Sequence, residues 1–157
     1  MPQKFLVDID TIDLNEIAAD IDRIRQIVPH RYEIEQLSGI LKFEPENKII
    51  IGYKDVKEDE FWVRGHIPGN PLMPGVLMVE AAAQLCTYYF KSSIETEKFF
   101  GFGGIDKVKF RGKVLPGDKL IIVAKNSELR NRRAIFDVQG IVNGKLVFEG
   151  IIIGMAM

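Results

Sequence analysis

The stretch GHIPGNPLMPGVLMVEAAAQ at 65 to 84 sets a histidine, His66, in a loop of prolines and glycines and one carboxylate, Glu80, in an otherwise apolar run. Histidine, with an ordinary pKa of about 6.5, accepts a proton near neutrality. A carboxyl withdrawn from water is favoured in its protonated form and can donate one. Acting on adjacent carbons, such a pair would take a proton from one and give a proton to a hydroxyl on the next. That reaction is a β-elimination of water.

Both groups need rigid supports. Gly65, Pro68, Gly69, Pro71, Pro74 and Gly75 give the His66 loop a fixed path, because proline restricts and glycine permits unusual backbone angles. Pro74 suits a first helical turn, and the amides just after it would be free donors able to hold a developing oxyanion. From Gly75 to Cys86 the strongly polar side chains are Glu80 and Gln84, four apart and so on one helical face. A helix apolar elsewhere around its circumference must be enclosed by protein.

The enclosing elements are mostly strands. Runs at 37 to 44, 48 to 54, 60 to 65, 105 to 114, 118 to 129, 132 to 142 and 145 to 154 have strand character, and Asn143-Gly144 signals a tight hairpin between the last two. Residues 13 to 28 place Leu14, Ile17, Ile21, Ile24 and Val28 at helical spacing behind an Asp13/Glu16 capping box, which predicts an N-terminal helix closed by Pro29. The expectation is one α+β domain over 1–157, a mainly antiparallel sheet curved around the buried helix, with room for a second copy to complete its cover.

Composition narrows the chemistry. The chain has 157 residues, 46% hydrophobic and 27% charged, a formal net charge of -1, two histidines and the single Cys86. One globular domain fits that length, and the charge gives no global attraction to nucleic acid or anionic membrane. One cysteine excludes a disulfide framework or cysteine-cluster zinc site, and the usual His/Glu metal spacings are missing. No run reaches the roughly 18 apolar residues of a membrane span, and the start lacks a secretory signal, so a cytoplasmic protein is expected.

Three segments carry a resemblance: HRY at 30 to 32, the 65 to 84 block, and GIDKVKFRGKVLPGDKL at 104 to 120. Together they resemble the FabZ-type 3-hydroxyacyl-[acyl-carrier-protein] dehydratases of bacterial fatty acid synthesis, over about residues 28 to 154. The resemblance implies the hot-dog fold, a long helix wrapped in antiparallel sheet. It also implies a homodimer with active sites across the interface, often a trimer of dimers. His66 matches the family's catalytic base, Glu80 the catalytic acid from the opposite subunit, and the Gly75 amide the donor to the thioester carbonyl; Gln84 would orient Glu80 or its water. The expected reaction converts (3R)-3-hydroxyacyl thioesters to trans-2-enoyl thioesters without metal or redox cofactor, the substrate riding on the carrier protein's phosphopantetheine arm. Glu80, where the dehydratase/isomerases have aspartate, favours dehydration alone.

The departures are local. EIEQLSGI after HRY puts Glu33, Glu35 and Gln36 at positions the family keeps apolar and Ser38-Gly39 where an Asp-Arg pair is common. Ile67 stands for a usual phenylalanine, and FFGFGG at 99 to 104 lacks the tyrosine often used as a tunnel gate. An acidic carrier protein would seek basic residues. Lys107, Lys109, Arg111 and Lys113, alternating with Val108, Phe110 and Val114, form one candidate patch, and Arg130, Arg132 and Arg133 a second. The competing readings are a non-catalytic acyl-thioester binder or scaffold subunit, which has no use for an acid and a base, and a hot-dog thioesterase, whose motifs differ. Neither patch carries a nucleic-acid reading motif.

Overall fold

The computed structural model describes residues 4–157. Its elements are α1 (Ile21–Ile27), β1 (Gly39–Glu44), β2 (Ile49–Asp55), α2 (Gly75–Ser93), β3 (Phe100–Phe110), β4 (Lys119–Leu129), β5 (Arg133–Val142) and β6 (Lys145–Ala156). The six strands form one sheet in the order β1-β2-β4-β5-β6-β3, and every neighbouring pair is antiparallel. Asn143 and Gly144 turn β5 into β6 at φ of 50° and 75°, the left-handed pair that a type I′ hairpin requires.

Helix α2 lies in the concave face. Leu77, Met78, Ala81, Ala82, Leu85, Cys86, Tyr89 and Phe90 are buried against inward residues such as Ile50, Leu120, Ile122, Phe136, Phe148 and Ile152. Close fit rather than bulk fixes the arrangement: a Cβ on Gly52 would stand 2.8 Å from Leu85, and one on Gly154 would overlap the Phe100 ring. Cys86 is fully enclosed, and burial pushes its thiol well above the ordinary range, which removes it as a nucleophile.

The outer face of the sheet is apolar too. Leu41, Ile49, Ile51, Ile121, Val123, Ile141 and Leu146 form a second buried cluster, covered by Phe5, Leu6, Val7, Ile9 and Ile12 of the N-terminal segment. Gln139 fastens that strap with its whole amide, accepting from the Leu6 N–H at 2.8 Å and donating to the Lys4 carbonyl at 2.9 Å. Two-sided burial explains why IIIG and LIIV read as continuous apolar runs instead of alternating ones.

Two expected elements change. The helix expected over 13 to 28 begins only at Ile21, where the Asp20 side chain accepts from the Arg23 N–H at 2.9 Å. Upstream, Asp13 caps Asn15 instead, the Ala18 and Ala19 amides bond to the Ile40 carbonyl at the edge of β1, and Leu14 and Ile17 are exposed. The run at 60 to 65 is a set of turns, not a strand. Glu60 accepts from the Lys57 N–H and pairs with the buried Lys54 ammonium at 3.2 Å, while Trp62 inserts into the core.

The EIEQLSGI segment is anchored by its polar residues. Arg25 of α1 donates to both Glu35 oxygens at 2.7 and 2.8 Å, and the Ser38 hydroxyl accepts from the Asp55 N–H. The Arg25 hydrogen bond, against some opposing desolvation, holds the Glu35 carboxyl below the usual carboxylate range. A lowered folded pKa stabilises the fold above the unfolded carboxylate value of about 4.3 and loses that contribution as pH falls through the folded value. Thermal melts of wild type and Glu35→Gln should therefore differ at neutral pH, wild type being higher, and converge at a pH acid enough to protonate the folded carboxyl. An equal gap at both pH values would contradict this role.

Candidate active site

His66 follows the turns anchored by Glu60. Its amide bonds to the Trp62 carbonyl at 2.8 Å, its carbonyl accepts from the Leu72 N–H at 2.9 Å, and the Met73 N–H reaches the Val114 carbonyl at 2.8 Å. The loop is thus tied at both ends. His66 Nδ1 stands 2.7 Å from the Leu72 carbonyl. A carbonyl only accepts, so Nδ1 carries the ring proton of the neutral imidazole and Nε2 presents a lone pair. That is the tautomer a proton acceptor at Nε2 needs.

Helix α2 supplies the rest. Pro74 is its N-cap rather than its first helical residue, and the Gly75 and Val76 N–H groups bond to nothing among the described residues. The Phe110 ring lies over Gly75 so closely that a Cβ there would sit 2.7 Å from it, which accounts for glycine at this position. Two free amides at the start of a 19-residue helix are donors set where the helix dipole is positive.

Glu80 sits one turn further, its side chain 18% exposed. Its Oε1 accepts from Gln84 Nε2 at 3.0 Å and lies 3.3 Å from His30 Nε2. With Glu80, His30, Ala83, Thr87, Phe99, Phe100, Phe102 and Ile152 line a mainly apolar cavity of about 100 Å³, and Gly101 and Gly154 complete its wall. The absent gate tyrosine therefore leaves phenylalanine rings and glycine backbone around this space.

The structure brings Glu80 and Gln84 together and leaves His66 apart: the histidine lines no part of the Glu80 cavity and makes no hydrogen bond to it. His30 is the neighbour that residue chemistry alone did not supply. It is fifty positions from Glu80, and the HRY motif was its sole trace in the sequence.

The basic patches separate. Lys107, Lys109, Arg111 and Lys113 are all exposed, but β3 ends at Phe110 and its register shifts between Asp106 and Lys109, with Lys107 at φ 51°. The expected clean alternation is broken. Val108 leans on Gly150, Phe110 is half exposed, and Arg111 pairs with Glu149 at 2.6 Å. Through Phe110 this patch adjoins Gly75. Arg130 and Arg133 instead pair with Glu128 at 3.4 Å in the β4–β5 turn, and Arg132 lines a groove with Ser93 and Ile94 at the far end of α2. A helix of that length spans about 28 Å.

Known proteins resemble this chain in sequence and in fold. The FabA-like domain family matches residues 28–151. The 3-hydroxyacyl-[acyl-carrier-protein] dehydratase FabZ of Clostridium botulinum is 40% identical over 131 residues, covering 83% of this chain and 90% of that protein. The bifunctional enzyme LpxC/FabZ of Chlorobaculum tepidum is also 40% identical, over 88% of this chain, which spans 30% of that longer protein. Among solved structures, the dehydratase heterocomplex ApeI:P from Xenorhabdus doucetiae superposes with a TM-score of 0.72 at 14% identity, covering 85% of this chain and 90% of that one, a likeness of fold. By family match, identity and fold, the chain belongs to the FabA-like domain family as a hot-dog protein of the FabZ dehydratase type.

Proposed function

We propose that the chain dehydrates (3R)-3-hydroxyacyl-[acyl-carrier-protein] to the trans-2-enoyl thioester in cytoplasmic fatty acid biosynthesis, with His66 as base and Glu80 as acid. The observation that carries the residue assignment is the Nδ1 bond of His66 to the Leu72 carbonyl, which frees Nε2 for a proton. The FabZ of Clostridium botulinum supports the reaction class. In the forward step Nε2 takes the C2 proton, and the C–H pair forms the C2–C3 double bond. The C3–O bond breaks as Glu80 protonates the hydroxyl, and water leaves. Charge that gathers on the thioester oxygen meanwhile meets the Gly75 N–H at the positive end of α2. The elimination is redox-neutral and the acyl group arrives on a phosphopantetheine arm, so this reading calls on no other cofactor.

The separation of His66 from the Glu80 cavity makes a homodimer part of the reading. β3 is one of the two outer strands of the sheet; Phe102, Ile105 and Phe110 on it are half exposed, and Val76 on α2 is exposed more strongly. A second copy laid against that edge would cover these groups and bring its own His66 to Glu80. Mass in solution distinguishes a dimer from a trimer of dimers. The Lys107 to Lys113 patch beside Gly75 is the better placed of the two for an acidic carrier: Arg111 pairs with Glu149, but Lys107, Lys109 and Lys113 have no carboxylate partner among the described residues, whereas Arg130 and Arg133 both face Glu128.

Incubation with a 3-hydroxyacyl carrier protein, followed by mass spectrometry for water lost or gained, tests the reaction. Wild type should interconvert the two thioesters, with His66→Ala and Glu80→Gln each lowering turnover by about 10²-fold or more. Unfolding and refolding the two inactive variants together, so that protomers redistribute, should restore about a quarter of wild-type activity, because a mixed dimer regains one intact site. Full activity in either single variant would remove that residue from the assignment, and no recovery on joint refolding would place the site within one chain. Cavity shape generates a separate expectation. Ala83→Phe fills space comparable to the whole chamber, so kcat/KM for long acyl chains should fall by about tenfold or more relative to the shortest 3-hydroxyacyl group.

A further inference from the structure

Glu80 has two oxygens, and the surroundings treat them differently. Gln84 is 2% exposed, and its amide is committed on both sides. Its Oε1 accepts from the Gln36 N–H at 2.9 Å, while Nε2 donates to the Ile34 carbonyl at 2.7 Å and to Glu80 Oε1 at 3.0 Å. A main-chain N–H only donates and a carbonyl only accepts, so flipping the amide would set like against like twice. Gln84 therefore always presents a donor to Oε1.

His30 faces the same oxygen. Its Nε2 is 3.3 Å from Oε1, and the Phe99 ring packs beside the imidazole at a centroid distance of 6.2 Å. Nδ1 is buried with no partner among the described residues. A ring proton on Nδ1 would face nothing, whereas on Nε2 it faces a carboxyl oxygen.

We propose that His30 and Gln84 together make Oε1 a permanent acceptor and confine the transferable proton of Glu80 to Oε2, with His30 a positioning residue for the dehydration. A carboxylic acid has a single O–H, and an oxygen that already accepts from Gln84 and has His30 Nε2 3.3 Å away leaves Oε2 as the better place for it. The proton that reaches the 3-hydroxyl then always leaves from one atom, and no fraction of the acid is protonated on the wrong side. This rests on Glu80 being the acid proposed above.

Steady-state kinetics on the full-length protein test it with His30→Phe, His30→Gln and Glu80→Gln. The glutamine amide keeps an N–H near the Nε2 position, and phenylalanine keeps only the ring. His30→Phe should lower kcat about tenfold or more with KM changed less than about twofold, and His30→Gln should recover a third or more of wild-type kcat. Equal kcat in the two His30 variants, or a loss confined to KM, overturns the proposal. Should His30→Phe fail to fold, His30→Leu takes its place as the variant without a donor, read against His30→Gln. An inactive Glu80→Gln beside an unaffected His30→Phe defeats the positioning role alone; an active Glu80→Gln defeats the acid assignment as well.

Discussion

Helix α2 is buried along most of its circumference, with Val76 near its start and Ser92 and Ser93 at its end exposed, and the rest of the molecule is arranged around that constraint. Its apolar circumference must be wrapped, so the sheet curves and places Ile50, Leu120, Phe136 and Phe148 against it. The wrapping is tight enough to dictate glycine where rings or branched side chains come closest, at Gly52, Gly75 and Gly154. Glu80 and Gln84 are the polar interruption in this helix face, and burial obliges them to find partners. Those partners come from the chain just before β1, from the Ile34 carbonyl, the Gln36 amide and His30. The requirement to satisfy a buried amide thus also positions the carboxyl that the chemistry uses.

Much of this was legible in the residues. The apolar circumference announced an enclosed helix, Asn143-Gly144 announced its hairpin, and the prolines around His66 announced a fixed loop. What could not be read were competitions decided by distant partners. Leu14 and Ile17 have helical spacing, yet the amides of Ala18 and Ala19 gain more from the open edge of β1 at Ile40 than from another helical turn. Phe61, Trp62 and Val63 are good strand formers, but Glu60 is held by Lys54 and the Lys57 amide, and the chain turns to drive Trp62 inward. His30 next to Glu80 is a contact across fifty residues. Local pattern carries no information about it.

The departures from the family pattern have physical work in this fold. Glu35 gains Arg25, Gln36 joins the Gln84 amide through its main chain, and Ser38 receives the Asp55 amide. Glu35 stands where helix α1 brings a cation within reach. The FabA-like match begins at residue 28, after α1, so the partner of Glu35 comes from outside the shared domain. Changes on the two sides of that boundary have to be read together.

The strap over the outer face has a bearing on how the chain is built. Gln139 joins residues 133 and 135 positions away, so neither bond can form until β5 has left the ribosome. Until then the outer Leu41, Ile49, Ile51, Ile121 and Val123 of β1, β2 and β4 lack the fastened strap that shields them in the finished fold. A segment that precedes every strand in the chain is thereby among the last to be fastened.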